Sequence, residues 1–191
     1  TKTVTNESTS VTFGEYTYTE PGTYNYTVKE SGSVDGVTND AESSKTVTVT
    51  VEDNGEGKLV ATVSPETGIT FTNNYDVEPV KADIPVEKTV EVPDGLAGPT
   101  DWTYTITLTA KDNAPLPEET EVTVTKAEPS AIFEDIEFTA PGTYTYIVTE
   151  SGENDGITNG TTSYEVTVTV EDNGEGKLVA TVSPETGITF T

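Results

Sequence analysis

The stretch that decides the fold is VTVTVEDNGEGKLVATVSPETGITFT, residues 47–72, because the same 26 letters return at 166–191, 119 positions later. Upstream the two halves stay similar at an offset of 120: TVTNESTSVTFGEYTYTEPGTYNYTVKESG from Thr3 answers TVTKAEPSAIFEDIEFTAPGTYTYIVTESG from Thr123. The slip falls in a polar loop, where GVTNDAESSKTV (36–47) faces GITNGTTSYEV (156–166). A period this long exceeds any solenoid repeat and fits one small domain. The chain therefore reads as a tandem array of one domain type. A start within a repeat and without Met is what an internal piece of a longer protein would show.

Composition sets the class. Thr, Val, Tyr and Gly abound and no helix-length apolar period occurs, so an all-β chain is expected. The 34 acidic residues against 9 basic ones leave a net charge of −25, which repels nucleic acid and anionic membrane surfaces. No apolar run is long enough to span a membrane. With no Cys, His or Met, disulfides, Cys/His metal centres and His- or Cys-based catalysis are excluded. The acids around Asp53–Gly57 lack the spacing of a calcium loop, so no metal and no cofactor is expected.

Taken in order, Thr1–Thr5 and Val11–Tyr18 alternate as strands, and Pro21-Gly22 marks a turn. Along Thr23–Glu30, strand parity puts Tyr24, Tyr26, Val28 and Glu30 on one face. Either Glu30 enters the core at the strand's end, or the strand has already ended and its carboxylate is solvated. Asn54-Gly55 supplies the positive-φ residues of a hairpin joining Lys45–Glu52 to Lys58–Ser64. In Ile69–Tyr75, Asn73 shares the face of Phe71 and Tyr75, as a core amide or a turn residue. Asp76–Ile84 carries proline and charge and reads as a linker, giving domains at 1–75 and 85–191. The strand Pro85–Val92 then sets Lys88 between Val86 and Val90, where it is buried or snorkels outward. Asp101–Ala110 points Trp102, Tyr104, Ile106 and Leu108 inward, and Glu150 repeats Glu30.

A lysine, a glutamate and an asparagine, each facing inward, form a reactive set. Burial disfavours charge, leaving a nucleophilic amine and a protonated acid. The acid can hydrogen-bond the amide carbonyl and polarise it, and amine attack then expels ammonia and leaves a Lys–Asn isopeptide bond.

The motifs V-x-K-T-V (86–90), Y-x-Y-x-V-x-E (24–30 and 144–150) and F-T-N-N-Y (71–75) resemble the streptococcal-pilin-type isopeptide-linked repeat of Gram-positive pilins and wall-anchored surface proteins. The resemblance covers essentially the whole chain. It implies tandem immunoglobulin-like (CnaB/pilin-type) β-sandwich domains, the first lacking its initial strands and the second the end of its last strand. It also implies Lys88 as a donor whose partner Asn follows Thr191, Asn73 as an acceptor whose partner Lys precedes Thr1, and Glu30 and Glu150 as assisting acids. The implied role is a structural stalk of a surface pilus or adhesin at the cell wall. Its partners would be neighbouring repeats or subunits, with host surfaces a further possibility, and it would catalyse nothing beyond its own cross-linking. An immunoglobulin-like adhesin module binding a host glycan or protein is the alternative, and an exposed aromatic cluster would favour it.

Overall fold

The computed structural model describes residues 1–191. The strands are β1 (Gly22–Lys29), β2 (Val37–Thr38), β3 (Ser44–Asp53), β4 (Leu59–Ser64), β5 (Asn74–Tyr75), β6 (Val80–Lys88), β7 (Thr103–Ala110), β8 (Glu121–Thr125), β9 (Ser130–Phe138), β10 (Gly142–Ser151), β11 (Ser163–Asp172), β12 (Leu178–Ser183) and β13 (Ile188–Phe190). There is no helix, as the composition requires. The chain divides into two compact units, Thr1–Ser33 with Asn39–Asn74, and Val34–Thr38 with Tyr75–Thr191.

The second unit is a two-sheet sandwich. One sheet has the order β12-β11-β10-β7-β8 and the other β13-β6-β9. Their inner faces meet in one core. Tyr104, Ile106 and Leu108 of β7, Tyr146 and Val148 of β10 and Val166, Val168 and Val170 of β11 face Ile84 and Val86 of β6, Phe133, Ile136 and Phe138 of β9 and Phe190 of β13. Every second residue is buried along β7, β10 and β11, so the alternation read from the sequence decides which side chains form the core. The first and last strands are parallel neighbours, with Val86 opposite Ile188 and Lys88 opposite Phe190. Gly187, at φ +79°, makes this approach possible, because a Cβ there would lie 2.4 Å from the Pro85 carbonyl oxygen.

The first unit has a three-stranded sheet, β1-β3-β4, whose β1–β3 register matches that of β10–β11: Tyr24 lies opposite Val49 as Tyr144 lies opposite Val168. Only Val49 and Val51 are buried hydrophobics there.

Four expectations are corrected. Thr1–Thr5 and Val11–Tyr18 form no strand. Their counterparts, Thr123–Thr125 in β8 and Ala131–Phe138 in β9, pair with β7 and β6, and residues 1–75 hold no counterpart of either partner. Of Ile69–Tyr75 only Asn74–Tyr75 is strand. The stretch 76–84, read as a linker, is strand from Val80 onward, and residues 34–38 cluster with the second unit. Pro85 and the charges suggested a linker, but a register shift between Ala82 and Ile84 accommodates them, and the Asp83 carboxylate accepts the Asp135 N–H at 2.8 Å. In the hairpin, Gly55 and Gly57 take positive φ and Asn54 does not; its Oδ1 accepts the Glu56 and Lys58 N–H groups instead.

Trp102 is the only tryptophan and lies in the second unit's core, so its fluorescence follows that unit alone. In urea titrations read this way, Phe133→Ala is expected to cost about 3–5 kcal/mol. Ile132→Ala, at a side chain 48 % exposed one residue away, is expected to cost under about 0.5 kcal/mol. Equal losses would contradict the inner-face assignment.

Candidate functional site: a buried lysine–glutamate pair and a glutamate–asparagine pair

Lys88 closes β6 on its inward parity, beside Val86 and Ile84. The sandwich leaves its side chain no route to water, and both it and the Glu150 side chain are fully shielded. Lys88 Nζ lies 3.1 Å from Glu150 Oε1 and 4.5 Å from the centroid of the Tyr104 ring. The ring holds the amine from below, and its own hydroxyl donates to Asn159 Oδ1 at 2.8 Å. Asn159 in turn donates to the Gly152 carbonyl at 2.9 Å, tying the 152–159 loop over the end of β10. Of the two readings left open for Lys88, burial is the one the structure takes.

The second carboxylate oxygen, Glu150 Oε2, is buried with no hydrogen-bond partner. An unmatched buried polar atom is costly and asks for a function. Proton transfer from Lys88 to Glu150 would replace two buried charges by a neutral amine and a neutral acid, a set ready for acyl transfer.

The first unit holds a glutamate–asparagine contact. Glu30 follows β1 directly, and its backbone N–H bonds the Ser43 carbonyl at 2.9 Å. Its Oε1 accepts from Asn73 Nδ2 at 3.0 Å, while Oε2 is again buried and unpartnered. Glu30 is thus half-buried beyond the end of its strand, between the two readings of the sequence. Asn73 is an exposed residue outside any strand, not a core amide, yet its side chain turns to the glutamate. One further expectation is corrected here: the glutamate meets the amide nitrogen, whereas the carbonyl oxygen accepts the Asp40 N–H at 2.9 Å.

The structure brings Lys88 to Glu150 and Glu30 to Asn73, each pair within one unit. Sequence reasoning missed Tyr104 as a support for the amine, and it missed Asp40 and Lys45. The Asp40 carboxylate accepts from Lys45 Nζ (2.7 Å) and from the N–H groups of Thr72 and Glu42 (2.9 Å each). Lys45 Nζ also lies 4.9 Å from the Phe71 ring centroid. A signal existed, since these two positions read Gly160 and Tyr164 in the otherwise similar second copy.

A family model, the Spy0128-like isopeptide containing domain (FctA), matches residues 1–76 and 84–191. The chain belongs to that family. The FctA match covers both copies, in agreement with the pilin-type resemblance of the strand motifs. Comparison with curated proteins finds no match. No helix of this FctA chain is long and apolar enough to cross a membrane.

Two outcomes follow from the pairs. Glu150→Ala strands the lysine in the core and should cost the second unit about 3–5 kcal/mol in denaturant titration, whereas Lys88→Met combined with Glu150→Leu should recover most of that loss. A double variant no more stable than the single one would contradict a buried pair. In the first unit, the Lys45 ammonium and the Thr72 and Glu42 N–H groups hold the Asp40 carboxyl down at about 2, from 3.8. A carboxyl depressed in the folded state contributes stability that is present above its unfolded value and is lost as pH falls through its folded one. Asp40→Asn should therefore weaken hydrogen-exchange protection of β3 amides at neutral pH, and the two proteins should converge as pH falls from about 4 to about 2. A constant gap across that window would contradict the assignment.

Proposed function

We propose that the chain is a stalk segment of a bacterial surface fibre, built from repeats that each lock themselves with one isopeptide bond. The observation that carries this reading is Lys88, fully shielded and 3.1 Å from Glu150, on a strand that pairs in parallel with the last strand of its unit. In the repeat a residue following Thr191 would correspond to Asn73, and strand parity would give it the face of Phe190, which pairs with Lys88. An asparagine there accepts attack by Lys88 Nζ on its side-chain carbonyl carbon. The new C–N bond replaces the bond to Nδ2, which departs as ammonia, and Glu150 carries the proton from the attacking to the leaving nitrogen. In the first unit Asn73 and Glu30 play the acceptor and acid roles toward a lysine preceding Thr1. The reaction occurs once per domain and turns over no external substrate.

The gain is permanence. By analogy with a disulfide closing a loop of about 100 residues, the bond stabilises by roughly 4–5 kcal/mol in the chain-entropy picture. It does so with no cysteine and no oxidant, which suits a fibre at the cell wall of a Gram-positive bacterium. Partners on this reading are neighbouring repeats or subunits.

The adhesin alternative gains nothing from the aromatics exposed in the first unit. Phe13 and Tyr16 are 43 % and 59 % exposed. Their counterparts Phe133 and Ile136 are core residues of the second unit, so the cluster is an uncovered sandwich face and not a ligand platform.

The test is the denatured intact mass of a chain carried through the next F-T-N-N-Y strand. A deficit of one ammonia from this domain, abolished by Lys88→Ala, is the expected result. A full mass in a folded domain would overturn the proposal.

A further inference from the structure

The two hydrogen bonds made by the Asn73 amide divide its chemistry in a way the family resemblance does not suggest. Asn73 Oδ1 accepts a main-chain N–H, that of Asp40, at 2.9 Å, and Nδ2 donates to Glu30 Oε1 at 3.0 Å. A main-chain N–H can only donate, so the atom facing it must be the amide oxygen, and this fixes the orientation of the carboxamide. Glu30 is thereby on the leaving nitrogen, and the carbonyl needs another polariser.

We propose that the main-chain N–H of Asp40 is the oxyanion donor for acyl transfer at Asn73, and that the Asp40 carboxylate is the positioning group that keeps it aimed. The inference rests on the isopeptide reading of the first unit. As the lysine nitrogen adds to the side-chain carbonyl carbon of Asn73, the C=O electron pair moves onto Oδ1, where the Asp40 N–H meets the growing charge. Collapse reforms the carbonyl and breaks the bond to Nδ2. A proton lost by the attacking nitrogen passes through Glu30 to Nδ2, which leaves as ammonia. The buried, unpartnered Glu30 Oε2 supplies a second oxygen for that transfer.

Asp40 is held for this task from three sides. Its carboxylate binds the Thr72 N–H, which precedes the acceptor, together with the Glu42 N–H and the Lys45 ammonium. Lys45 Nζ also bonds the Thr70 carbonyl at 2.5 Å, so one ion pair clasps the acceptor segment at both Thr70 and Thr72. In the second unit the N–H at this loop position belongs to Gly160 and bonds the Thr191 carbonyl at 2.8 Å. The loop N–H meets the final segment in both copies, at Thr191 in the second and at Asn73 in the first, where it reaches the reacting amide itself.

The test supplies the donor as a synthetic peptide with the sequence of residues 80–91, added in excess to the whole chain. Adduct formation is followed by mass, as the sum of both molecules less one ammonia, and mapped to Asn73 by fragmentation. Asp40→Pro, which deletes the N–H, should slow the adduct on the order of 100-fold. Asp40→Gly keeps the N–H and loses only the clasp, and should fall between Asp40→Pro and the unaltered chain. A scalar coupling between the residue 40 amide nitrogen and the side-chain carbonyl carbon of Asn73 reports the hydrogen bond by NMR without any substitution. Adduct at the unaltered rate in Asp40→Pro, or no such coupling, overturns this inference and leaves the isopeptide reading standing. No adduct in the unaltered chain, or an undiminished rate in Glu30→Gln, overturns that reading and this inference with it.

Discussion

The structure depends on one constraint: a lysine and a glutamate kept dry between two sheets. Neither Lys88 nor Glu150 can reach water, so each must be satisfied by the other or changed chemically. Everything that closes the second unit serves that enclosure. Tyr104 lies under the amine, Phe190 stands beside it in register, and the 152–159 loop is tied over the end of β10 through Asn159. A hydrophobic pair of similar volume would be as stable or more so, and therefore stability alone does not account for the charges.

Each of the two units pairs a glutamate with a nitrogen-bearing side chain. The second shows an amine with its acid, and the first an acid with its amide. In both, one carboxylate oxygen is engaged and the other is buried and idle. That recurrence, on strands with the same register against their neighbours, argues that the idle oxygen belongs to the design of the domain and is not an accident of packing in one copy.

Much of this was legible in the sequence because strand parity is local. Tyr146, Val148 and Glu150 are buried in alternation, as are Tyr104, Ile106 and Leu108, and Lys88 follows Val86 inward at the expected step. What escaped were features that depend on partners. Val11–Tyr18 has the letters of a strand, but a ladder needs a neighbour, and none of residues 1–75 provides one. Val80–Ile84 has the letters of a linker, but pairing with β9 outweighs its charges, and a bulge absorbs the misfit. The Asp40–Lys45 clasp joins a loop, a strand end and the acceptor segment, and no periodicity links those three. Its only trace was the simultaneous change from Gly160 and Tyr164 in the second copy.

The parallel pairing of β6 with β13 carries a mechanical meaning. A pull on the two ends of the second unit draws adjacent parallel strands past each other along their length. Every rung between Val86–Lys88 and Ile188–Phe190, together with the Thr89 N–H to Phe190 carbonyl bond, is then loaded at once in shear. An antiparallel hairpin pulled from its open end would instead give way rung by rung. The sandwich is thus wired to resist tension across its shortest path, and most of its strands lie outside that path and bear little of the load.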